Sequence, residues 1–336
     1  MRLGIVSFAH LHAEGYINNL RANPDVEVIG FADDNPERGA HFARRYGVRQ
    51  FDSYEALIAA QPDGVVICTE NARHRPVVEL AAQAGVHVLC EKPLATTLED
   101  ARAMIEACER GGVHLMTAFP MRFNAPVIEA KRVMESGALG RIYGANTTNQ
   151  GKLPRYHSDY VRAWFEQKDL AGGGAAMDHT VHLVDLLRWF LGCEVVEVYA
   201  QLNDILYREA GVDVETGGLV MLTFEDGTFA SVDCSWSKPP SYPTWGGLTM
   251  EIVGETGLLT VDAFKQVTAV YGREERARWP YWGSDSNQAM IDEFVAAIRD
   301  NRPPAITGYD GYRALEVALA AYTSAACGEP VRLPLI

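Results

Sequence analysis

Short apolar runs alternate with amphipathic segments through the first third of the chain. Leu3-Gly4-Ile5-Val6-Ser7-Phe8 reads as a buried strand, and from about Leu11 to Leu20 the apolar positions recur at helical spacing. Val26–Ala32 is the next strand, followed by helices over Pro36–Tyr46 and Tyr54–Ala60. Gly64–Thr69 and Val86–Leu89 are further strands, separated by a helix that runs to about Ala84. Thr96 and Glu99 have the spacing of a capping box ahead of a helix near Leu98–Arg110. A strand near His114–Ala118 and a helix near Ala125–Ser136 complete the series. Strands alternating with helices of this length imply a parallel sheet with right-handed crossovers.

Beyond Gly140 the pattern changes. Strand candidates follow one another at Ile142–Gln150, Glu194–Leu202, Gly218–Phe224, Phe229–Trp236, Thr249–Val253 and Leu258–Asp262, with glycine turns between several of them. That order suggests an antiparallel meander. Helices are expected at Met177–Leu191, Asn287–Asp300 and Tyr309–Ala326. The expected architecture is α/β: a dinucleotide-binding parallel-sheet domain over 1–122, then an α+β domain over 123–336 with a large open, mainly antiparallel sheet. The C-terminal helix has room to pack back on the first domain.

A chain of 336 residues that is 48% hydrophobic can bury a large core in two domains. A net charge of −14 repels nucleic acid and anionic membranes, so neither is an expected partner. No apolar run approaches the roughly 18–20 residues that span a bilayer, and the chain opens on a strand-like segment instead of a signal peptide. Six scattered cysteines without a Cys-x-x-Cys pair read as core residues of a cytoplasmic protein.

Candidate chemistry lies at the ends of these elements. Cys90-Glu91-Lys92-Pro93 closes an apolar run, so Lys92 stands at the carboxyl end of a buried strand, the edge where open α/β sheets bind ligands. Pro93 fixes its own φ and steers Lys92 away from helical backbone. Asp33 ends the second strand, where a dinucleotide fold places the carboxylate that binds the adenosine ribose and repels a 2′-phosphate. It could equally cap the helix that begins at Pro36. The first turn reads Ser7-Phe8-Ala9-His10-Leu11-His12 where G-x-G-x-x-G would be expected. Ala9 adds a Cβ there and His12 adds bulk; His10 and His12 are phosphate donors or simple packing residues. In the second half, Gly172-Gly173-Gly174 opens a helix on which Asp178 and His182 are one turn apart, with Asp185 a turn further. A histidine oriented by a carboxylate can act as a general base, and the glycines permit close approach of a backbone or a ligand.

In these motifs the chain resembles the Gfo/Idh/MocA oxidoreductases, the family of glucose–fructose oxidoreductase and inositol 2-dehydrogenase. The matches are Glu91-Lys92-Pro93, the glycine run with Asp178 and His182, Thr69-x-Asn71-x-x-His74 and Arg122-Phe123. The resemblance implies a Rossmann domain that binds NAD, with NADP less favoured, and a second domain that carries the substrate wall and often an oligomer interface. It implies Lys92, Asp178 and His182 as catalytic residues. Ser7, Ala9, His10, His12, Asp33, Thr69, Asn71, His74, Glu91, Lys92 and Arg122 are the cofactor-binding candidates. Glu70 stands where the family commonly has proline. The implied reaction is hydride transfer between a secondary alcohol of a sugar, polyol or inositol and nicotinamide.

Lys152, Arg155, Tyr156, His157, Tyr160 and Trp164 precede the glycine run, and Lys238, Tyr242 and Trp245 occupy another loop. Tyr156, Trp164, His179 and Trp245 are the substrate-binding candidates, because aromatic faces stack on sugar C–H surfaces. Two other functions stay open: an NAD-dependent, redox-cycling glycosidase and a non-enzymatic sugar or nucleotide sensor. His10, His12, His179, His182 and Asp178 offer enough ligands for zinc, but nothing in the sequence fixes their separation, so no metal site is assigned. A homo-oligomer, dimer or tetramer, is expected.

Overall fold

A computed structural model describes residues 1–156, 160, 162–266 and 283–335. The first compact unit comprises Met1–Pro120, Asp169–Gly172 and Asn287–Leu315; the second comprises Met121–Lys168, Gly173–Ser286 and Glu316–Ile336. In chain order the first unit runs β1 (Arg2–Val6), α1 (Ala13–Ala22), β2 (Glu27–Ala32), α2 (Pro36–Tyr46), β3 (Gln50–Phe51), α3 (Tyr54–Ala59), β4 (Gly64–Ile67), α4 (His74–Gln83), β5 (His87–Cys90), α5 (Leu98–Gly111) and β6 (Leu115–Thr117). The strands form one sheet in the order β3-β2-β1-β4-β5-β6 with every pairing parallel. This is the Rossmann order, and it places the sequence reversal beside β1 and β4, where such sheets hold ligands.

Helix boundaries follow local chemistry. Asn35 caps α2 by accepting from Glu37 N and Arg38 N, Pro36 occupies the first turn, and Gly47 closes the helix in the left-handed region. The cap of α5 is Thr97, whose hydroxyl accepts from Asp100 N at 3.1 Å. This corrects the Thr96–Glu99 pairing by one residue, since Thr97 has the extended backbone a cap requires.

The second unit begins with α6 (Ala125–Glu135) and β7 (Ile142–Gly151). After α7 (Lys168–Ala171), which straddles the two units, come α8 (Ala175–Leu191), β8 (Val195–Asn203), β9 (Gly217–Phe224), β10 (Phe229–Ser235), β11 (Gly246–Gly254) and β12 (Leu258–Asp262). Helix α9 (Ser286–Arg299) belongs almost wholly to the first unit, where Phe294 packs beside Gly64, while α10 (Gly308–Cys327) contributes to both; β13 (Val331–Arg332) ends the chain. The seven strands lie in the order β12-β11-β7-β10-β9-β8-β13. β8-β9-β10 is a meander and β11-β12 a hairpin, and β7 runs parallel to β10, so the sheet is mixed and, as expected, mainly antiparallel. The long connection through α8 frees β7 from pairing with the strand that follows it.

Fourteen of the seventeen residues of α8 are buried, polar ones among them, so this helix is core and needs internal partners for its polar groups. Among the described residues no helix is long and apolar enough to cross a membrane. The six cysteines form no disulfide.

Three imidazoles of the first unit are held neutral. Burial pushes the pKa of His74 down, against its Nδ1 contact with Leu94 O at 3.0 Å, and burial likewise lowers His87 and His114. The unfolded chain therefore binds more protons than the native one just below the ordinary imidazole value of about 6.5. The stability linked to these groups is fully present above that value and is lost as pH falls toward the lowered native ones. Urea unfolding at about pH 7.5 and about pH 5.5 should show a loss at the lower pH, and a smaller loss in His74→Gln.

Candidate active site

In the first unit the turn after β1 is bound to its own protein. Ser7 adopts φ 68°, the left-handed conformation that favours glycine, and its hydroxyl accepts from Ala9 N at 3.0 Å and Arg38 Nη2 at 3.1 Å. Phe8 N donates to Asp33 Oδ2 at 2.8 Å, His10 N to Cys68 O at 2.8 Å, and His12 N to His10 Nδ1 at 3.2 Å. Four N–H groups of a turn that in other dinucleotide folds faces a diphosphate are thus occupied.

Asp33 sits at the end of β2, buried, and is not the cap of α2. Arg38 Nε donates to both of its oxygens at 3.0 Å, and Asn35 N donates to Oδ1 at 2.9 Å. Burial alone would lower the Arg38 pKa; Asp33, Glu70 and Asp34 outweigh it and hold the guanidinium raised. Glu70 lies 3.7 Å from Arg38 and 3.4 Å from Arg73.

Glu91 is wholly buried. Its Oε1 is 2.9 Å from His12 Nδ1 and 3.7 Å from His10 Nδ1, and its Oε2 accepts from Lys92 N at 3.1 Å. Burial would raise its pKa, but His10, His12 and Lys92 overcome that and hold the carboxyl well below the usual range. Lys92 is 3% exposed at the carboxyl end of β5. Beyond β4, three buried polar atoms make no hydrogen bond among the described residues: Thr69 Oγ1, Asn71 Oδ1 and His74 Nε2. The Asn71 amide nitrogen is anchored on Ala171 O at 2.9 Å. Strand order and these unfilled polar atoms fit a nicotinamide dinucleotide.

In the second unit the glycine run is required by protein neighbours. A Cβ on Gly173 would overlap Tyr322 Oη, and one on Gly174 would overlap the carbonyl oxygen of Glu215. Glu215 Oε1 accepts from Gly174 N at 2.8 Å, Ala176 N at 3.0 Å and Tyr322 Oη at 2.7 Å, and Met177 N donates to Tyr322 Oη at 3.2 Å. Gly174 itself offers no side-chain cap. Glu215 and Tyr322 therefore take the open N–H groups at the start of α8. Burial raises the Glu215 pKa, partly offset by these donors. Neither residue carries a local signal; only the closeness that three glycines imply pointed to a neighbour.

Asp178 Oδ2 is 3.3 Å from Trp236 Nε1 and 3.2 Å from His179 Nε2, so a tryptophan the sequence did not single out fixes the carboxylate. His182 follows one turn along, 8% exposed. A further turn on, Asp185 is bound by Arg122 through Nε at 2.8 Å and Nη2 at 2.6 Å, and the same guanidinium lies 5.6 Å from the Trp189 ring. Two of Arg122's nitrogens thus serve the protein. The His179 and Trp245 rings are 6.1 Å apart, with Gly151 beside both. Trp164 is buried against Phe165 at 3.9 Å, and Tyr156 is exposed. Arg155 pairs with Glu166, and His157 lies outside the described residues.

Removing the Glu215 carboxylate strands two N–H groups and a hydroxyl. Glu215→Ala should therefore cost about 1–3 kcal/mol in urea unfolding, and Glu215→Gln, which keeps an acceptor, distinctly less.

Comparison with known proteins gives a consistent pattern. The family model described as an oxidoreductase family with an NAD-binding Rossmann fold matches residues 1–119, and the GFO/IDH/MocA C-terminal domain matches 127–260. Myo-inositol 2-dehydrogenase of Thermotoga maritima is 29% identical, over 96% of each chain. The 1,5-anhydro-D-fructose reductase of Ensifer adhaerens is 31% identical, over 99% of this chain and 98% of its own. Among solved structures, GenD2 from gentamicin A biosynthesis, in complex with NAD, superposes with a TM-score of 0.89 at 28% identity, covering 99% of this chain and 96% of that one.

Proposed function

The chain belongs to the Gfo/Idh/MocA oxidoreductases, and from that membership we propose that it oxidises a secondary alcohol of a sugar, polyol or inositol with NAD. The observation that carries this reading is the buried ammonium of Lys92 at the carboxyl end of β5, in a sheet of dinucleotide-binding order. Relatives named for inositol and anhydrofructose support the substrate class.

Bound nicotinamide supplies the hydride acceptor. The protein's part is charge and geometry. As hydride leaves the carbinol carbon, the hydroxyl must lose its proton, and His182 is the group assigned to take it. Lys92 stabilises the developing alkoxide, a fixed charge that needs no reorganisation during the reaction. Asp178, held by Trp236 and His179, orients substrate hydroxyls. Tyr156, Trp164, His179 and Trp245 remain the proposed substrate contacts. Ser7, Ala9, His10, His12, Asp33, Thr69, Asn71, His74, Glu91 and Arg122 remain the proposed cofactor side with Lys92. The Asp33 carboxylate favours NAD over NADP.

A homo-oligomer of two or four copies is part of this reading. Leu219 and Met221 of β9 and Phe229 of β10 are exposed on one face of the second sheet, an apolar patch of the kind that another copy covers. The six cysteines, which form no disulfide, accord with a cytoplasmic setting.

Polyols, aldoses and inositols should be assayed with NAD and NADP at the absorbance of reduced nicotinamide. At least one class should reduce NAD faster than NADP. Lys92→Met, assayed with NAD saturating, should lose about a hundredfold or more in kcat. Near-native turnover in that variant would remove Lys92 from the reaction.

A further inference from the structure

The turn after β1 poses a problem that its own residues answer. Its N–H groups at Phe8, Ala9, His10 and His12 are all bonded within the protein, so little backbone polarity is left there for an anion. In their place two imidazoles converge on one oxygen of a wholly buried carboxylate. His12 Nδ1 is 2.9 Å and His10 Nδ1 3.7 Å from Glu91 Oε1, and the three ligand atoms all lie within 4.8 Å of one another.

A hydrogen bond from His12 to Glu91 explains one of these contacts. His10 Nδ1 accepts from His12 N at 3.2 Å and stands beside the same Glu91 oxygen, so an ion that takes its lone pair releases that N–H. Tyr16 is fully buried, its ring 5.9 Å from that of His12. Two imidazole nitrogens and a carboxylate oxygen are ligands of the kind a divalent ion of the zinc type takes. Ligands about 2.1 Å from a tetrahedral ion stand about 3.4 Å apart, between the two Glu91 distances. The His12 side chain is 31% exposed and supplies the way in, while those of His10 and Glu91 are almost or wholly buried.

We propose that His10, His12 and Glu91 form a site for a divalent transition metal, with Tyr16 beside it. We propose further that the held cation, at the start of α1, meets the dinucleotide diphosphate in place of the turn's occupied N–H groups. This second part rests on the dinucleotide reading above; the metal site does not. Displacing the His12–Glu91 hydrogen bond releases the proton between them, and the ion takes its place.

Chelator-treated full-length protein titrated with Co²⁺, followed by visible absorption, and with Zn²⁺, followed by elemental analysis after desalting, tests the site without any cofactor. The expected result is one equivalent bound, with affinity about 10–100-fold weaker in His12→Asn and in His10→Asn. Thermal melting establishes that each variant is folded. The half-exposed His12 is the safer change, and the cobalt spectrum of the unaltered protein reports the ligand set without any variant. Absence of saturable uptake, or uptake unchanged in both variants, overturns the site. Calorimetric titration of NAD should then give an affinity about tenfold higher for zinc-loaded than for stripped protein. Equal affinities would overturn the diphosphate role alone. Failure of NAD to bind either form would instead defeat the dinucleotide reading, and the cobalt titration would still decide the metal site.

Discussion

A carboxylate taken out of water must be compensated by donors or positive charge, and this chain has one wholly buried, Glu91, and one partly buried, Glu215. Glu91, wholly buried after β5, is held ionised by His10, His12 and Lys92. That compensation ties the turn after β1 to the segment carrying the lysine. Glu215 takes two N–H groups and a hydroxyl on a single oxygen at the start of α8. The helix that carries Asp178 and His182 is thereby anchored at its first turn. Both carboxylates hold their segments through hydrogen bonds and charge.

The first turn also dispenses with glycine. Ser7 accepts the left-handed backbone that glycine would otherwise provide, and its hydroxyl is bonded on two sides, which offsets the strain of about 1 kcal/mol or more. Asp33 and Arg38 join the same network, so the end of β2 and the turn after β1 form one hydrogen-bonded system. A change at Ser7 would therefore be felt at Asp33.

Much of this was legible in the sequence, and the reasons for success and failure are physical. The apolar run before Glu91-Lys92-Pro93 located the lysine because buried parallel strands carry a continuous apolar signature. The one-turn spacing of Asp178 and His182 placed both on α8, because helical periodicity is local. Partners far apart in sequence could not be read. Trp236, Glu215 and Tyr322 reach α8 from separate elements, and Asp185 finds Arg122 sixty-three positions away. The two-residue strands β3 and β13 carry too few positions for a period to show. Register between β7 and β10 is a pairing property that alternation within either strand does not encode. The glycine run was noticed for the right reason, close approach, and the structure identifies what approaches: a tyrosine hydroxyl and a backbone carbonyl.

The central claim is that an imidazole on α8 accepts the proton released as hydride departs. Single-turnover stopped-flow of His182→Asn, with NAD saturating and the best substrate of the unaltered enzyme, tests it most directly. Nicotinamide reduction should slow by about a hundredfold or more while NAD affinity stays within about twofold. Reduction at the unaltered rate would contradict the claim and move the proton to another group.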